Sequence, residues 1–324
     1  MKKTLIALAV LAASGASFAQ ATITGNYTFG YSQTSGGGVA QKSGIGTDTA
    51  AIKVAASEDL GGGLKAAAQV TLGGMMRDGA GTGEDAKLTL TGGFGALTFG
   101  TVESVDGLLA IGSSGASGIG LDGATKVLGA ASNIDIIGYS LPLTSALTLG
   151  LSYVDRGETA GTGLGAGSTG PAAAQPSATI GITYAAGPLA AKLDTTNWTR
   201  QDDTAVTSAT NKNRYRLSAA YDMGAVRLSG GYQNMTTTTN LTATETLIGV
   251  KVPVGALTIG LDYAQATKTA THDVNGYSLG LGYDLSKRTN VSTSFASYKQ
   301  AGVANTSATP EATNAFRVFV SHSF

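Results

Sequence analysis

The sequence predicts an all-β protein, a transmembrane antiparallel β-barrel of about 16 strands. Three observations carry that reading. Apolar and polar residues alternate with a period of two in run after run, as they do on a strand with one greasy and one wet face. The runs match the roughly 9–11 residues that a tilted strand needs to cross a bilayer. Tight joins alternate with long polar ones, the pattern of short turns at one barrel end and loops at the other.

Strands are expected near 21–33, 46–58, 62–73, 83–92, 94–101, 131–141, 144–155, 177–187, 188–200, 213–223, 224–235, 243–253, 255–266, 274–285, 287–299 and 312–324. In SALTLGLSYV, Leu147, Leu149, Leu151 and Tyr153 alternate with Thr148, Gly150 and Ser152. In NRYRLSAAYDM, Tyr215, Leu217, Ala219 and Tyr221 alternate with Arg214, Arg216, Ser218 and Asp222. GALTIGLDYAQA and NGYSLGLGYDLS repeat the rhythm, the second with Gly280 and Gly282 on its wet face. Tight joins fall at Asp59-Leu60-Gly61, Gly92-Gly93, Pro142-Leu143, Gly187-Pro188, Met223-Gly224, Val254-Gly255 and Ser286-Lys287. Long polar joins, such as Ala160 to Pro176 and Gln201 to Lys212, lie between them. About 305 mature residues at roughly 19 per strand and connection give about sixteen strands. Fourteen or eighteen also meet that arithmetic once boundaries move by a few residues.

Lys2 and Lys3 precede a short apolar run, Thr4 to Ala16, and the small-x-small pattern Ser17-Phe18-Ala19. Residues 1–19 therefore read as a secretory signal peptide, whose apolar part of about 13 residues is too short to span a bilayer. Residues 20–324 read as the barrel domain. No second apolar run is long enough for a transmembrane helix, and in lipid only a closed barrel then satisfies every backbone group. Lys plus Arg and Asp plus Glu balance at 21 each, and charged residues make up 13%. Nucleic acid, which calls for a net basic surface, is excluded as a partner. Cysteine is absent, so this is no disulfide-stapled secreted domain.

Catalytic, cofactor and metal sites are expected to be none. Gly165-Ala166-Gly167-Ser168-Thr169-Gly170 fits a dinucleotide fingerprint in letters only, since Pro171 follows where a helix must start. His272 and His322 are the only histidines, too few for a metal cluster.

The closing stretch NAFRVFVSHSF places Phe316, Val318, Val320 and Phe324 on one parity. Ala315, Arg317, Ser321 and Ser323 take the other, with one lapse at Phe319. Such a strand needs a partner, and pairing with strand 21–33 would close the barrel and leave no edge. Phe324 is then expected at the membrane interface, and a terminal Phe suits recognition by the barrel assembly machinery.

At particular motifs the chain resembles the Gram-negative general diffusion porins of β-proteobacterial type. Tyr283-Asp284-Leu285-Ser286-Lys287-Arg288-Thr289 is similar to a signature that precedes the family's penultimate strand. Ser321-His322-Ser323-Phe324 resembles its His-x-Phe ending, and Gly93-Phe94-Gly95-Ala96-Leu97-Thr98-Phe99-Gly100 the strand leading into its third loop. The resemblance implies a homotrimer of sixteen-stranded barrels in the outer membrane, in contact with lipid and lipopolysaccharide. It also implies a third loop, here Val102 to Ala130, folded into the lumen as a constriction. Acids on that loop would face basic side chains on the wall. Thr101 stands where the family often has Arg, and the loop is rich in Gly, Ser and Ala.

Charges on the lumen parity are Lys53, Lys65, Lys87, Lys192, Arg214, Arg216, Arg227, Lys251, Arg288 and Arg317 against Asp135, Asp194, Asp222, Asp262 and Asp284. A basic lining favours anions. The constriction is expected from Glu103, Asp106 and Asp122 facing Lys53, Lys87 and Arg317. The lining is expected from Lys65, Arg214, Arg216, Arg227, Lys251 and Asp262. On strand 62–73 the lipid parity, Leu64, Ala66, Ala68 and Val70, is small enough for close approach of a second wall. The subunit contact is placed there, with Arg77 on the second long loop as a latch. The function expected is passive diffusion of small hydrophilic solutes and ions with a mild anion preference. The alternative is a barrel that acts as an adhesin or structural anchor without significant conductance.

Overall fold

The computed structural model describes residues 20–37, 40–75, 79, 81–103, 107–123, 126–129, 133–155, 176–199, 211–267, 273–299 and 312–324. Residues 1–19, with the expected leader, lie outside this range. So do the Gly165–Gly170 motif and His272.

Sixteen strands follow one another around a closed barrel. They are β1 (Gln20–Gly36), β2 (Lys42–Gly61), β3 (Leu64–Gly73), β4 (Thr82–Gly92), β5 (Gly95–Glu103), β6 (Asn133–Pro142), β7 (Leu147–Asp155) and β8 (Ser177–Ala186). The second half is β9 (Leu189–Trp198), β10 (Asn211–Asp222), β11 (Arg227–Thr237), β12 (Thr242–Val254), β13 (Leu257–Thr267), β14 (Val274–Asp284), β15 (Thr289–Lys299) and β16 (Ala312–Ser323). One short helix, α1 (Gly107–Gly112), stands between β5 and β6. Each strand pairs antiparallel with the next, and β16 returns to β1 with Phe29 opposite Val320 and Tyr31 opposite Val318. Sixteen is thus the strand number, and fourteen and eighteen are excluded.

The closure has a physical signature at the short-turn end. Gly25 N donates to Phe324 O at 2.8 Å and Phe324 N donates to Gly25 O at 2.9 Å. The ring of Phe324 lies where a side chain at position 25 would otherwise stand. Several strand ends differ from the sequence reading by a few residues, among them β2, β7, β11 and β15, which begin at Lys42, Leu147, Arg227 and Thr289. β2 runs on to Gly61 because Gly61, Gly62 and Gly63 all take positive φ (82°, 62° and 82°). Those left-handed values suit glycine alone and move the turn two residues along. β5 likewise continues through Glu103 instead of ending at 101.

Period-two alternation settles which face each strand presents. Leu193, Tyr215, Leu217, Ile248, Leu261 and Leu279 are all exposed on the outside, an arrangement that in water would be a liability and in hydrocarbon is the requirement. Tyr221 and Tyr283 near the short turns, and Tyr153, Tyr232 and Tyr263 near the loops, share that outward exposure. Among the described residues no helix is long and apolar enough to cross a membrane; the strands do so.

The apolar core sits inside the barrel. Leu108, Ile119, Leu121, Val127 and Leu128 from the β5–β6 connection pack on Leu247, Ala264, Ala266, Val274, Ala296, Tyr298 and Ala315, wall residues of β12 to β16. Each fully buried aliphatic side chain contributes about 1.5–3 kcal/mol relative to exposure, enough to hold the connection against the wall.

Candidate functional site: a loop docked inside the lumen

The connection from β5 to β6 turns inward, and two kinds of wall residue receive it. The first kind grips its backbone. Arg227 on β11 donates Nη1 to the carbonyl oxygens of Ser113 (2.7 Å) and Ser114 (3.4 Å), and Nη2 to that of Ile111 (3.0 Å). Asp262 on β13 accepts the Ser114 amide at 2.6 Å and its hydroxyl at 3.0 Å. Ser278 on β14 donates to the carbonyl of Ser117 at 3.1 Å. The second kind makes room. Gly249, Gly260 and Gly280 occupy wall positions where a Cβ would fall inside van der Waals distance of Ser114, Ala116 or Ser117. A glycine track on the wall and a Gly-Ser-Ala loop let two backbones lie flush, which neither could do with larger side chains. At the start of α1, Gly107 rests on the guanidinium of Arg216.

Past the clamp an isolated parallel bridge joins Asp122 to Leu128. Leu128 N donates to Leu121 O at 3.0 Å and Gly123 N to Leu128 O at 3.3 Å, with Leu121, Val127 and Leu128 buried. Lys126 lies just before Leu128 of this bridge. Its Nζ donates to the Gly120 carbonyl at 2.7 Å and stands 6.0 Å from the centre of the Tyr298 ring. Burial holds its pKa below the ordinary lysine range; Asp122 opposes that shift and Arg317 adds to it.

The residues expected at the constriction take different places. Lys53 and Lys87 face the lumen from β2 and β4, opposite Thr24 on β1 and Gln69 on β3 respectively. Lys87 approaches Asp85 at 3.9 Å. Arg317 faces the lumen from β16 and reaches Asp48 at 3.3 Å. Asp48 is there because the β1–β2 register shifts at Thr28/Phe29. The extra residue re-aims a side chain, as bulges do, and Thr49 donates to its other carboxylate oxygen at 3.3 Å. Asp122 lies on the docked loop beside Lys126.

Glu103 departs from expectation. It belongs to β5, on the outward parity of Phe99, because the strand runs two residues further than its pattern suggested. Asp135 is likewise outward, paired in register with Thr101 and bonded to its hydroxyl. Asp106 and Arg77 lie outside the described residues.

Of the expected lining, Lys65, Arg214, Arg216, Arg227, Lys251 and Asp262 all occupy the lumen parity. Arg227 and Asp262 are occupied by the loop, and Arg216 donates Nε and Nη2 to one oxygen of Asp194 at 3.0 and 2.9 Å. Lys192 stands 3.7 Å from that oxygen. Arg214 donates to Thr196 at 3.0 Å and lies 5.5 Å from the Trp198 ring centre. Leu64, Ala66, Ala68 and Val70 share the outward parity of β3.

A family model described as Gram-negative porin matches residues 4–302. The chain belongs to that family. It is a porin of the outer membrane of a Gram-negative bacterium. Outer membrane porin protein 32 of Delftia acidovorans is 31% identical over 323 residues, covering 89% of this chain and 87% of that one. Among solved structures, an anion-selective porin from Comamonas acidovorans superimposes with a TM-score of 0.70 at 21% identity, covering 94% of this porin and 100% of that chain. A triple mutant of the Rhodopseudomonas blastica porin gives 0.63 at 15% identity, again covering 94% and 100%. The fold is shared with both.

The clamp is expected to limit motion of the loop. Asp262→Asn keeps one acceptor for Ser114 and replaces the other with an NH2 donor, and hydrogen bonds to a charged group contribute about 1.5–3 kcal/mol each. The expected outcome is a channel of near-normal mean conductance with increased open-channel current noise, read in single-channel recordings. Noise equal to that of the unmodified porin would mean that the apolar cluster alone holds the loop.

Proposed function

We propose that this porin is a passive, water-filled channel for small hydrophilic solutes and ions, with a mild preference for anions. No residue is activated and no bond is made; passage is limited by the space that the docked loop leaves and biased by the charges along it. The observation that carries the anion preference is an imbalance in how lumen charges are used. Among the acids, Asp194, Glu245 and Asp262 are buried, engaged by Arg216, Gln233 and Ser114 respectively. Lys53 is exposed and Lys251 half-exposed, and neither forms an ion pair among the described residues. In a chain with 21 acidic and 21 basic residues, the accessible lumen-parity bases Lys53, Lys65 and Lys251 outnumber the exposed lumen-parity acids Asp222 and Asp284, and fixed charges along a pore select against their own sign. The name of the Comamonas acidovorans relative points the same way.

The test is the zero-current potential across a planar bilayer in a potassium chloride gradient. A potential displaced toward the chloride equilibrium value is expected, and displacement toward potassium would overturn the preference. The small outward side chains of β3, Leu64, Ala66, Ala68 and Val70, support a trimer assembled on that face. Residues 1–19 support export through a cleaved leader.

A further inference from the structure

We propose that Lys126, carried by the constriction loop itself, is the side chain that sets the strength of the anion preference. This rests on the anion reading above and deepens it. The wall lysines Lys53 and Lys251 sit on flexible stems in the aqueous lumen, where their charge is well screened. Lys126 differs in being fixed. The residue after it, Val127, and its neighbour Leu128 are fully buried, and its own amide donates to Gly123 O at 3.1 Å. Its stem runs beside Gly123, within van der Waals reach of where a Cβ would stand. Its ammonium is then positioned by the Gly120 carbonyl and the Tyr298 ring.

The groups that face it come from every element packed around it. Asp122 comes from the loop, Tyr298 from β15 and Arg317 from β16, with Asp48 of β2 already bonded to that arginine. No ion pair joins Lys126 to Asp122 among the described residues. Lys126 and Arg317 are two interacting cations, one on the loop and one on the wall, each with an acid on its own side, Asp122 for the lysine and Asp48 for the arginine. Each raises the energy of the other, and a mobile anion passing between them lowers it. A partly desolvated charge acts through less screening medium than one in open water, so one fixed lysine here outweighs several waving along the wall.

The same burial supplies an independent readout. Because desolvation, opposed by Asp122 and aided to a lesser degree by Arg317, depresses the pKa of Lys126, its charge is lost on raising pH before that of ordinary lysines. Anion preference should therefore be full at neutral pH and begin to fall at alkaline pH while the wall lysines are still protonated. Arginine at position 126 keeps its charge throughout.

The experiment is reversal potential in a potassium chloride gradient for unmodified protein, Lys126→Met and Lys126→Arg, each measured from neutral to alkaline pH. The chloride-to-potassium permeability ratio should fall about two- to three-fold in Lys126→Met, the effect of one unit charge acting across several ångströms of solvent. Lys126→Arg should keep the neutral-pH ratio and lose the alkaline decline. An unmodified channel that selects potassium would overturn the anion reading itself. An anion-selective channel whose ratio ignores both Lys126→Met and alkaline pH would overturn only the assignment to Lys126. The pH series on unmodified protein decides the matter even if the methionine variant fails to fold.

Discussion

Val320→Pro is expected to abolish the closed, detergent-resistant barrel, whereas Val320→Ala leaves it intact. Val320 lies in β16 between Phe29 of β1 and Val291 of β15. With a paired strand on either side, its amide belongs to one ladder or the other. Proline removes that donor and leaves the partner carbonyl without a hydrogen bond at membrane depth, where no water replaces it. An unsatisfied group there costs several kcal/mol, against a net stability of about 5–15 kcal/mol for a typical folded protein. The pyrrolidine ring adds a steric penalty in a central strand. Alanine removes only methyl groups that face lipid, and lipid replaces their contacts. Unheated and heated electrophoretic mobility after refolding in detergent reads the outcome, with circular dichroism as a check on strand content. A proline variant that migrates as the folded species would show that the β1–β16 seam tolerates a break.

The barrel was legible because its signal is carried by every strand. Outward Tyr215, Leu217, Leu261 and Leu279 keep strict alternation, and strand ends erred by only a few residues. The lumen was less legible, for a reason visible in Glu103 and Asp48. Parity holds only while register holds, and a strand two residues longer than its pattern, or one bulge, reassigns a side chain to the other face. The loop's docking was harder still. Its clue lay in the wet parity: Leu247, Ala264, Ala266, Val274, Ala296 and Ala315 are apolar where a solvated wall should be polar. Ile119, Leu121, Val127 and Leu128 in the loop are their complement. Neither set means much alone, because the match exists only after β12 to β16 lie side by side. The roles of Arg227 and Asp262 were hidden for the same reason, since a charged residue on the lumen parity looks alike whether it meets solvent or a backbone five or more strands away.

Gly280→Val is expected to reduce single-channel conductance substantially while leaving the barrel assembled. Gly280 faces the carbonyl of Ala116 and the backbone of Ser117 across the lumen surface. A β-branched side chain there needs space that the loop backbone now fills. The wall cannot yield, because Gly280 is held in register between Gly260 on β13 and Ser294 on β14's other neighbour, β15. The loop must therefore move inward, and every ångström of retreat comes out of the aqueous cross-section. Arg227 and Asp262 hold the adjacent residues 111–114, so the strain concentrates at 115–118 instead of releasing the whole loop. Gly282→Val is the matched control. It sits one rung away on the same face, and a Cβ there meets only the Asn290 side chain at 3.4 Å or more. Gly280→Ala should fall between the two, since one methyl is already too close to Ala116. Equal conductance for the Gly280 and Gly282 valine variants, with both barrels folded by heated and unheated mobility, would mean that the loop does not lie on the glycine track.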